Sequence, residues 1–398
     1  MFDHVTLALK ICDLTQFYSP VSGGVRRYVE QKVAYVRKAR PDCQHILVIP
    51  GETTGSRGDD VSRVYTIASP LVSRTSRYRA LLKLHLVEEV LEKERPDIIE
   101  SGDPYQLAWK AVASGHGLDI PVVGFYHSHF PEAYIRSVAK YFGQLAIAIA
   151  EDASRRYVRT LYNSFERTFV PSPTLAILLR RWGVERVESI DLGVDSEVFR
   201  PNGAPSALLR RELKIPDGRR LLLYVGRLAP EKNVRTLFDA FGILHRKVPQ
   251  KYHLLTVGDG ALRPALVRLR EETQSVTWLQ FCREPAELAS VYRTSDLFVH
   301  PGIQETFGLV ALESQACGTP VVGIRGSYMD RIIFSNQQHW AAENTPSSLA
   351  DAIEAKFGED LHESGLQASA AAREHYSWKT VFQRLFSLYE EVISRFTK

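Results

Sequence analysis

The chain has 398 residues, 44% of them hydrophobic and 24% charged, with a formal net charge of +4. That length suffices for two domains with full cores, and the composition excludes a disordered chain. So small a net charge argues against a dedicated nucleic-acid binder.

Short apolar runs alternate with amphipathic stretches through both halves, the pattern of a parallel sheet covered by helices. In the first half, strands are predicted at 5–12, 45–49, 64–67, 97–100, 122–126, 168–170 and 187–190. Helices are predicted near 24–37, 77–94, 105–115 and 132–162. Residues 191–205, dense in Gly, Pro and Asn, read as a linker. The second half restarts with a strand at 220–225 and a helix at 234–246, then strands at 253–257, 276–280, 297–300 and 320–323. Helices at 347–356, 361–375 and 378–395 close the chain. The fold class expected is α/β: two doubly wound, Rossmann-like domains, 1–195 and 196–376, with 377–398 as a closing helix available to cross back to the first. Ligand is expected in a cleft facing the C-terminal ends of both sets of strands.

No apolar run approaches the roughly 18 residues that cross a bilayer, and residues 1–10 lack a basic segment followed by a clean apolar stretch. The four cysteines, Cys12, Cys43, Cys282 and Cys317, show no metal-ligand spacing and read as small buried residues in a reducing compartment. The expected location is cytoplasmic.

Three segments carry chemistry. In Glu305-Thr-Phe-Gly308-Leu-Val-Ala-Leu-Glu313, two carboxylates stand eight positions apart across a helix start. The backbone N–H groups of Thr306, Phe307 and Gly308 favour an anion there, and the carboxylates seek hydroxyls. An acidic pair at this spacing alone is usually a solvated helix face. A second cluster at the end of an apolar strand tips the balance: Gly226-Arg227-Leu-Ala-Pro-Glu231-Lys232-Asn233 puts a guanidinium and an ammonium on a strand-to-helix loop, with Asn233 able to cap the helix. Together they suit a nucleoside diphosphate sugar. The third segment, Val257-Gly258-Asp-Gly260, is a tight turn without the third glycine of a dinucleotide fingerprint. Beyond it, Arg283 follows a strand at the level where a base would lie.

In order and type, Gly226-Arg227-x-x-x-Glu231-Lys232-Asn233, Gly258-Asp-Gly260, Glu305-x7-Glu313 and Gly318-Thr-Pro-Val-Val322 resemble the motifs of retaining family-4 glycosyltransferases of the GT-B fold. The likeness spans nearly the whole chain, towards the branch of bacterial α-mannosyltransferases and glycolipid glycosyltransferases. It implies that Arg227 and Lys232 hold the donor diphosphate and that Glu313 takes the ribose hydroxyls. Glu305 and the N–H groups of Phe307 and Gly308 would meet donor sugar and phosphate. In the first half, Gly23 and Gly24 match the family's Gly-Gly loop, and His127 matches its histidine near the donor sugar. A zinc reading of His127-x-His129 lacks a third nearby ligand. The loop 325–336 departs from the family pattern, so no contact is carried onto Ser327 or Tyr328.

The resemblance implies transfer of a hexosyl group, mannosyl leading, from a GDP- or UDP-sugar to a lipid-linked or saccharide hydroxyl. No metal or other cofactor is expected. A sugar-nucleotide epimerase or a non-catalytic nucleotide-sugar sensor would use the same cleft. Basic clusters at Arg74, Arg77, Arg79 and Lys83 and at Arg155, Arg156 and Arg159 read either as solvated faces or as contacts to anionic lipid.

Overall fold

The computed structural model describes residues 9–18, 23–72, 77–127, 144–202, 207–282, 284–303, 305, 307–327, 329, 331–334 and 337–397. The chain divides into two compact units, one of Met1–Leu192 with Val381–Lys398, the other of Gly193–Thr380.

The first unit is built on an eight-stranded sheet in the order β3-β4-β2-β1-β5-β6-β7-β8. Its strands are β1 (Lys10–Leu14), β2 (Gln44–Gly51), β3 (Gly55–Gly58), β4 (Ser62–Ala68), β5 (Ile98–Ser101), β6 (Val122–Phe125), β7 (Arg167–Val170) and β8 (Val187–Ser189). Every pairing is parallel except β3 with β4. Helices α1 (Gly24–Ala39), α2 (Leu84–Glu94), α3 (Gln106–Leu118), α4 (Gln144–Tyr162) and α5 (Pro173–Arg181) alternate with them. β3 escapes sequence reasoning because Gly-Ser-Arg-Gly is exposed throughout and has no apolar pattern. The helix expected over 77–94 starts only at Leu84; residues 77–83 are not helical, with Leu71 bridged to Arg79 and Arg77 at φ 54°. Of the helix expected over 132–162, the part before Gln144 lies outside the described residues.

One buried polar cluster ties this sheet to its helices. α1 buries Tyr28, Val29, Lys32, Tyr35 and Val36, so Lys32 occupies a position in its apolar stripe. The Lys32 ammonium, fully buried, donates to Asp13 on β1 (2.8 Å), Glu100 on β5 (2.9 Å) and the Tyr389 hydroxyl (3.0 Å). The other Asp13 oxygen meets His45 Nε2 on β2 at 2.8 Å. Tyr389 lies on the last helix (Trp378–Phe396), most of which belongs to the first unit.

The second unit holds a five-stranded, all-parallel sheet in the order β11-β10-β9-β12-β13. It comprises β9 (Arg220–Val225), β10 (Tyr252–Val257), β11 (Val276–Leu279), β12 (Leu297–Val299) and β13 (Val321–Val322). Leu221 to Val225 are buried in succession, as expected of a strand covered on both faces. Helices α6 (Ala207–Glu212), α7 (Val234–Lys247), α8 (Arg263–Thr273), α9 (Pro285–Thr294), α10 (Leu309–Ala316), α11 (Pro346–Lys356) and α12 (Leu361–His375) complete it; the closing helix is α13. Each unit has its own apolar core. No helix among the described residues is long and apolar enough to cross a membrane.

Candidate active site

In the second unit the chain steps outward from β9 through β10 to β11, then returns to the other side of β9 with β12. The loops leaving the C-terminal ends of β9 and β12 therefore diverge, and such a reversal leaves a crevice where ligands bind in doubly wound sheets. Loop 226–233 carries Arg227 and Lys232; loop 300–308 carries His300, Glu305, Phe307 and Gly308.

The two loops are locked together. Lys232 Nζ donates to Glu305 Oε1 at 2.6 Å, and His300 Nε2 lies 4.0 Å from the same oxygen. Burial works to raise the Glu305 pKa, but the Lys232 ammonium outweighs it, so the carboxyl is held below its ordinary range and is ionised. Asn233 was expected to cap α7. Instead it adopts φ 55° and makes no side-chain bond to a helix N–H. Its amide donates to the Pro301 carbonyl (2.8 Å) and to Asn344 (2.7 Å), so it braces one loop against the other.

Arg227 is the exposed member, its side chain 69% accessible and paired with Glu231 at 3.0 Å. Its carbonyl accepts from the Tyr224 hydroxyl at 3.0 Å. Gly258 has a packing reason for being glycine: at φ 139°, a Cβ would stand 2.0 Å from the Gly226 carbonyl oxygen. The Val257–Gly260 turn thus supports the Arg227 loop from behind.

Glu313 has a different set of partners from Glu305. It is 1% exposed, inside α10, and accepts from the Tyr292 hydroxyl at 3.2 Å. The Phe307 ring is buried and packs near Tyr376 and under the Arg331 guanidinium, which leaves its backbone as the part available to a ligand. Gly308 stands at φ 90° immediately before α10, and its carbonyl accepts from the Ala311 and Leu312 amides. Arg283 lies outside the described residues.

In the first unit the corresponding reversal falls between β1 and β5. Buried Asp103, just past β5, accepts from the Gln16 amide (2.6 Å) and lies 3.4 Å from the Thr15 hydroxyl, so it pins the loop that leaves β1. Gly23 and Gly24 open α1 at the far end of that loop; Gly23 has φ −89° and open space where a Cβ would stand. His127 follows β6, stacked on Phe125 with ring centroids 4.1 Å apart and edge-on to Tyr28. Burial, with a smaller push from Lys32, lowers its pKa to about 3, so the ring is neutral at pH 7. A neutral imidazole there offers a hydrogen bond rather than a charge.

Three members of the basic clusters of this unit are paired: Arg79 with Glu52, Arg155 with Glu151 and Arg156 with Asp152. Arg74 lies outside the described residues. No group of three or more potential metal ligands occurs among the described residues.

Sequence reasoning missed His300, Tyr292, Asp103 and the Lys32 cluster. Only His300 left a usable trace: a histidine ending an apolar strand five residues before the first carboxylate of the pair.

Residues 206–374 match Glycosyl transferases group 1, and residues 22–198 match Glycosyltransferase Family 4. A GDP-mannose-dependent alpha-mannosyltransferase of Corynebacterium glutamicum is 27% identical, covering 97% of this chain and 90% of its own. A GDP-mannose-dependent alpha-(1-6)-phosphatidylinositol dimannoside mannosyltransferase of Mycobacterium tuberculosis is 28% identical over 87% of each chain. Among solved structures, sucrose-phosphate synthase from Thermosynechococcus elongatus superposes with a TM-score of 0.76 at 19% identity, covering 97% of this chain and 100% of its own.

Proposed function

The chain belongs to the family-4 glycosyltransferases of the GT-B fold, and on that footing we propose that it moves a mannosyl group from GDP-mannose to a hydroxyl of a lipid-linked or saccharide acceptor, with retention at the anomeric carbon. GDP-mannose is the donor named for the Corynebacterium and Mycobacterium relatives. The observation that carries the reading is the pairing of Lys232 with Glu305 at 2.6 Å, between the two loops that leave the sheet at its reversal. An ammonium held there is ready for a diphosphate.

Breaking a sugar–diphosphate bond leaves growing negative charge on the departing phosphate and an oxocarbenium-like carbon. Lys232, Arg227 and the backbone N–H groups of Phe307 and Gly308 would stabilise that charge; one such preorganised donor contributes about 3–4 kcal/mol. With retention, the acceptor attacks from the leaving-group face and the departing phosphate oxygen takes its proton. Glu305 would then bind donor-sugar hydroxyls, Glu313 the ribose, and neutral His127 a sugar hydroxyl.

Purified protein given GDP-mannose and a panel of glycolipid and saccharide acceptors should form a mannosylated product. Lys232→Ala and Arg227→Ala should each lower turnover at least tenfold; urea unfolding should stay near wild type for exposed Arg227→Ala and fall for Lys232→Ala, which leaves Glu305 without its partner. Normal transfer by both variants would remove the diphosphate role. Conversion of the donor to another sugar nucleotide without transfer would favour an epimerase.

A further inference from the structure

Glu305 is held in this structure by a partner that a bound diphosphate would draw on. Lys232 Nζ sits 2.6 Å from its carboxylate, yet the same ammonium is the group offered to the donor diphosphate. An ammonium can serve two acceptors at once, as Lys32 does, but drawing Lys232 towards two phosphates loosens its contact with the carboxylate, so donor binding weakens the ion pair and leaves Glu305 in a partly buried site beside two negative phosphates. An unpaired carboxylate there is costly unless another positive charge forms near it.

Among the described residues, besides Lys232 and Arg227, which are assigned to the diphosphate, His300 is placed to supply that charge. It is 4% exposed, and its Nε2 stands 4.0 Å from Glu305 Oε1. Its Nδ1 has no hydrogen-bond partner among the described residues. The ring is confined: a Cβ on Gly302 would lie 2.9 Å from His300 Cε1 and 3.4 Å from Glu305 Cγ. Glycine at that position lets imidazole and carboxylate approach. The charged groups acting on the ring are Glu305 and Lys232, and Arg227 acts in turn on Glu305. Burial depresses the imidazole pKa, Glu305 raises it and Lys232 lowers it, so the ring is neutral while Lys232 stays in place.

We infer that donor binding is coupled to the uptake of a proton by His300: as the diphosphate draws Lys232 away, the Glu305 carboxylate recruits a proton from the buffer onto the imidazole, forming a His300–Glu305 ion pair in place of the Lys232–Glu305 pair. This rests on the transfer reading above and adds to it a residue that acts through Glu305. His300 is a positioning residue. In its protonated state it holds Glu305 in place for the donor sugar while the ammonium serves the phosphates.

The test is calorimetric titration with GDP-mannose, and in parallel with UDP-glucose, in buffers of different ionisation enthalpy. Both donors are diphosphate diesters whose phosphates do not titrate near neutrality, so any proton taken up belongs to the protein. Wild type should take up a proton at pH 7–8. Its affinity should rise as the pH falls, approaching about tenfold per pH unit where uptake approaches one proton. His300→Gln, or His300→Asn should the first variant fold poorly, should bind the donor with no uptake and a flat pH profile. Binding by wild type without uptake would overturn the inference and leave the transfer reading intact. Undiminished uptake in the His300 variants would also overturn it, because the proton would then reside on Glu305. Failure of wild type to bind either donor would overturn both.

Discussion

Asp103 is 1% exposed, and burial raises its carboxyl to about 7 against hydrogen bonds from Gln16, Thr15 and Phe17 that pull the other way. An unfolded aspartate releases its proton near pH 4. Between about pH 4 and pH 7 the folded chain therefore holds a proton that the unfolded chain has lost. Stability falls as pH rises through that window and levels off above it. The slope from this one group is on the order of 1.4 kcal/mol per pH unit at most. Urea unfolding of the first unit, compared between pH 5 and pH 8, should show wild type losing ground to Asp103→Asn as the pH rises, since the amide cannot ionise. Equal pH dependence in the two proteins would mean that Asp103 ionises normally. At this scale the sequence was legible where charge meets a loop. Arg227, Lys232 and Glu305 announce themselves because cations and a carboxylate at strand ends have few structural reasons to be there. Asp103 and Lys32 stayed hidden because each looks like any solvated charge. Only the third dimension shows that Lys32 faces Asp13 and Glu100.

Elements built on apolar runs or clear amphipathic stripes were readable, with β9, β10 and α7 falling within a residue or so of their expected bounds. β3 and the non-helical residues 77–83 were not, since hydrogen bonding along a sheet edge and the Arg79–Ser69 contact decide them rather than periodicity. The glycines at element boundaries give contrasting tests. Gly308 stands at φ 90°, and a Cβ there would lie 2.0 Å from Met329 Cε. The Met329 end can yield, but the backbone strain remains, so Gly308→Ala should cost on the order of 1–3 kcal/mol. Gly23, at φ −89° with open space around it, should accept alanine with a stability change of about 0.5 kcal/mol or less. Any loss of transfer by Gly23→Ala would then report ligand approach rather than folding. If Gly23→Ala unfolds as readily as Gly308→Ala, the open space described around Gly23 is wrong.

Two units, each with a core of its own, make a single unfolding midpoint a doubtful measure for the whole molecule. Residues proposed to hold the diphosphate, Lys232 and Arg227, belong to the second unit, whereas the Lys32 cluster lies wholly in the first. Perturbations can therefore be aimed at one unit at a time. Lys32→Met leaves Asp13 and Glu100 buried without their cation, a loss of about 3–5 kcal/mol. GDP-mannose at 100 times its dissociation constant adds about 2.7 kcal/mol to whatever it binds. Scanning calorimetry should accordingly resolve two transitions: Lys32→Met lowers the one belonging to the first unit, and donor raises the one belonging to the second. Lys232→Ala should abolish most of the donor's shift without moving the transition that Lys32→Met moves. If both perturbations displace a single common transition, the two units unfold as one cooperative block.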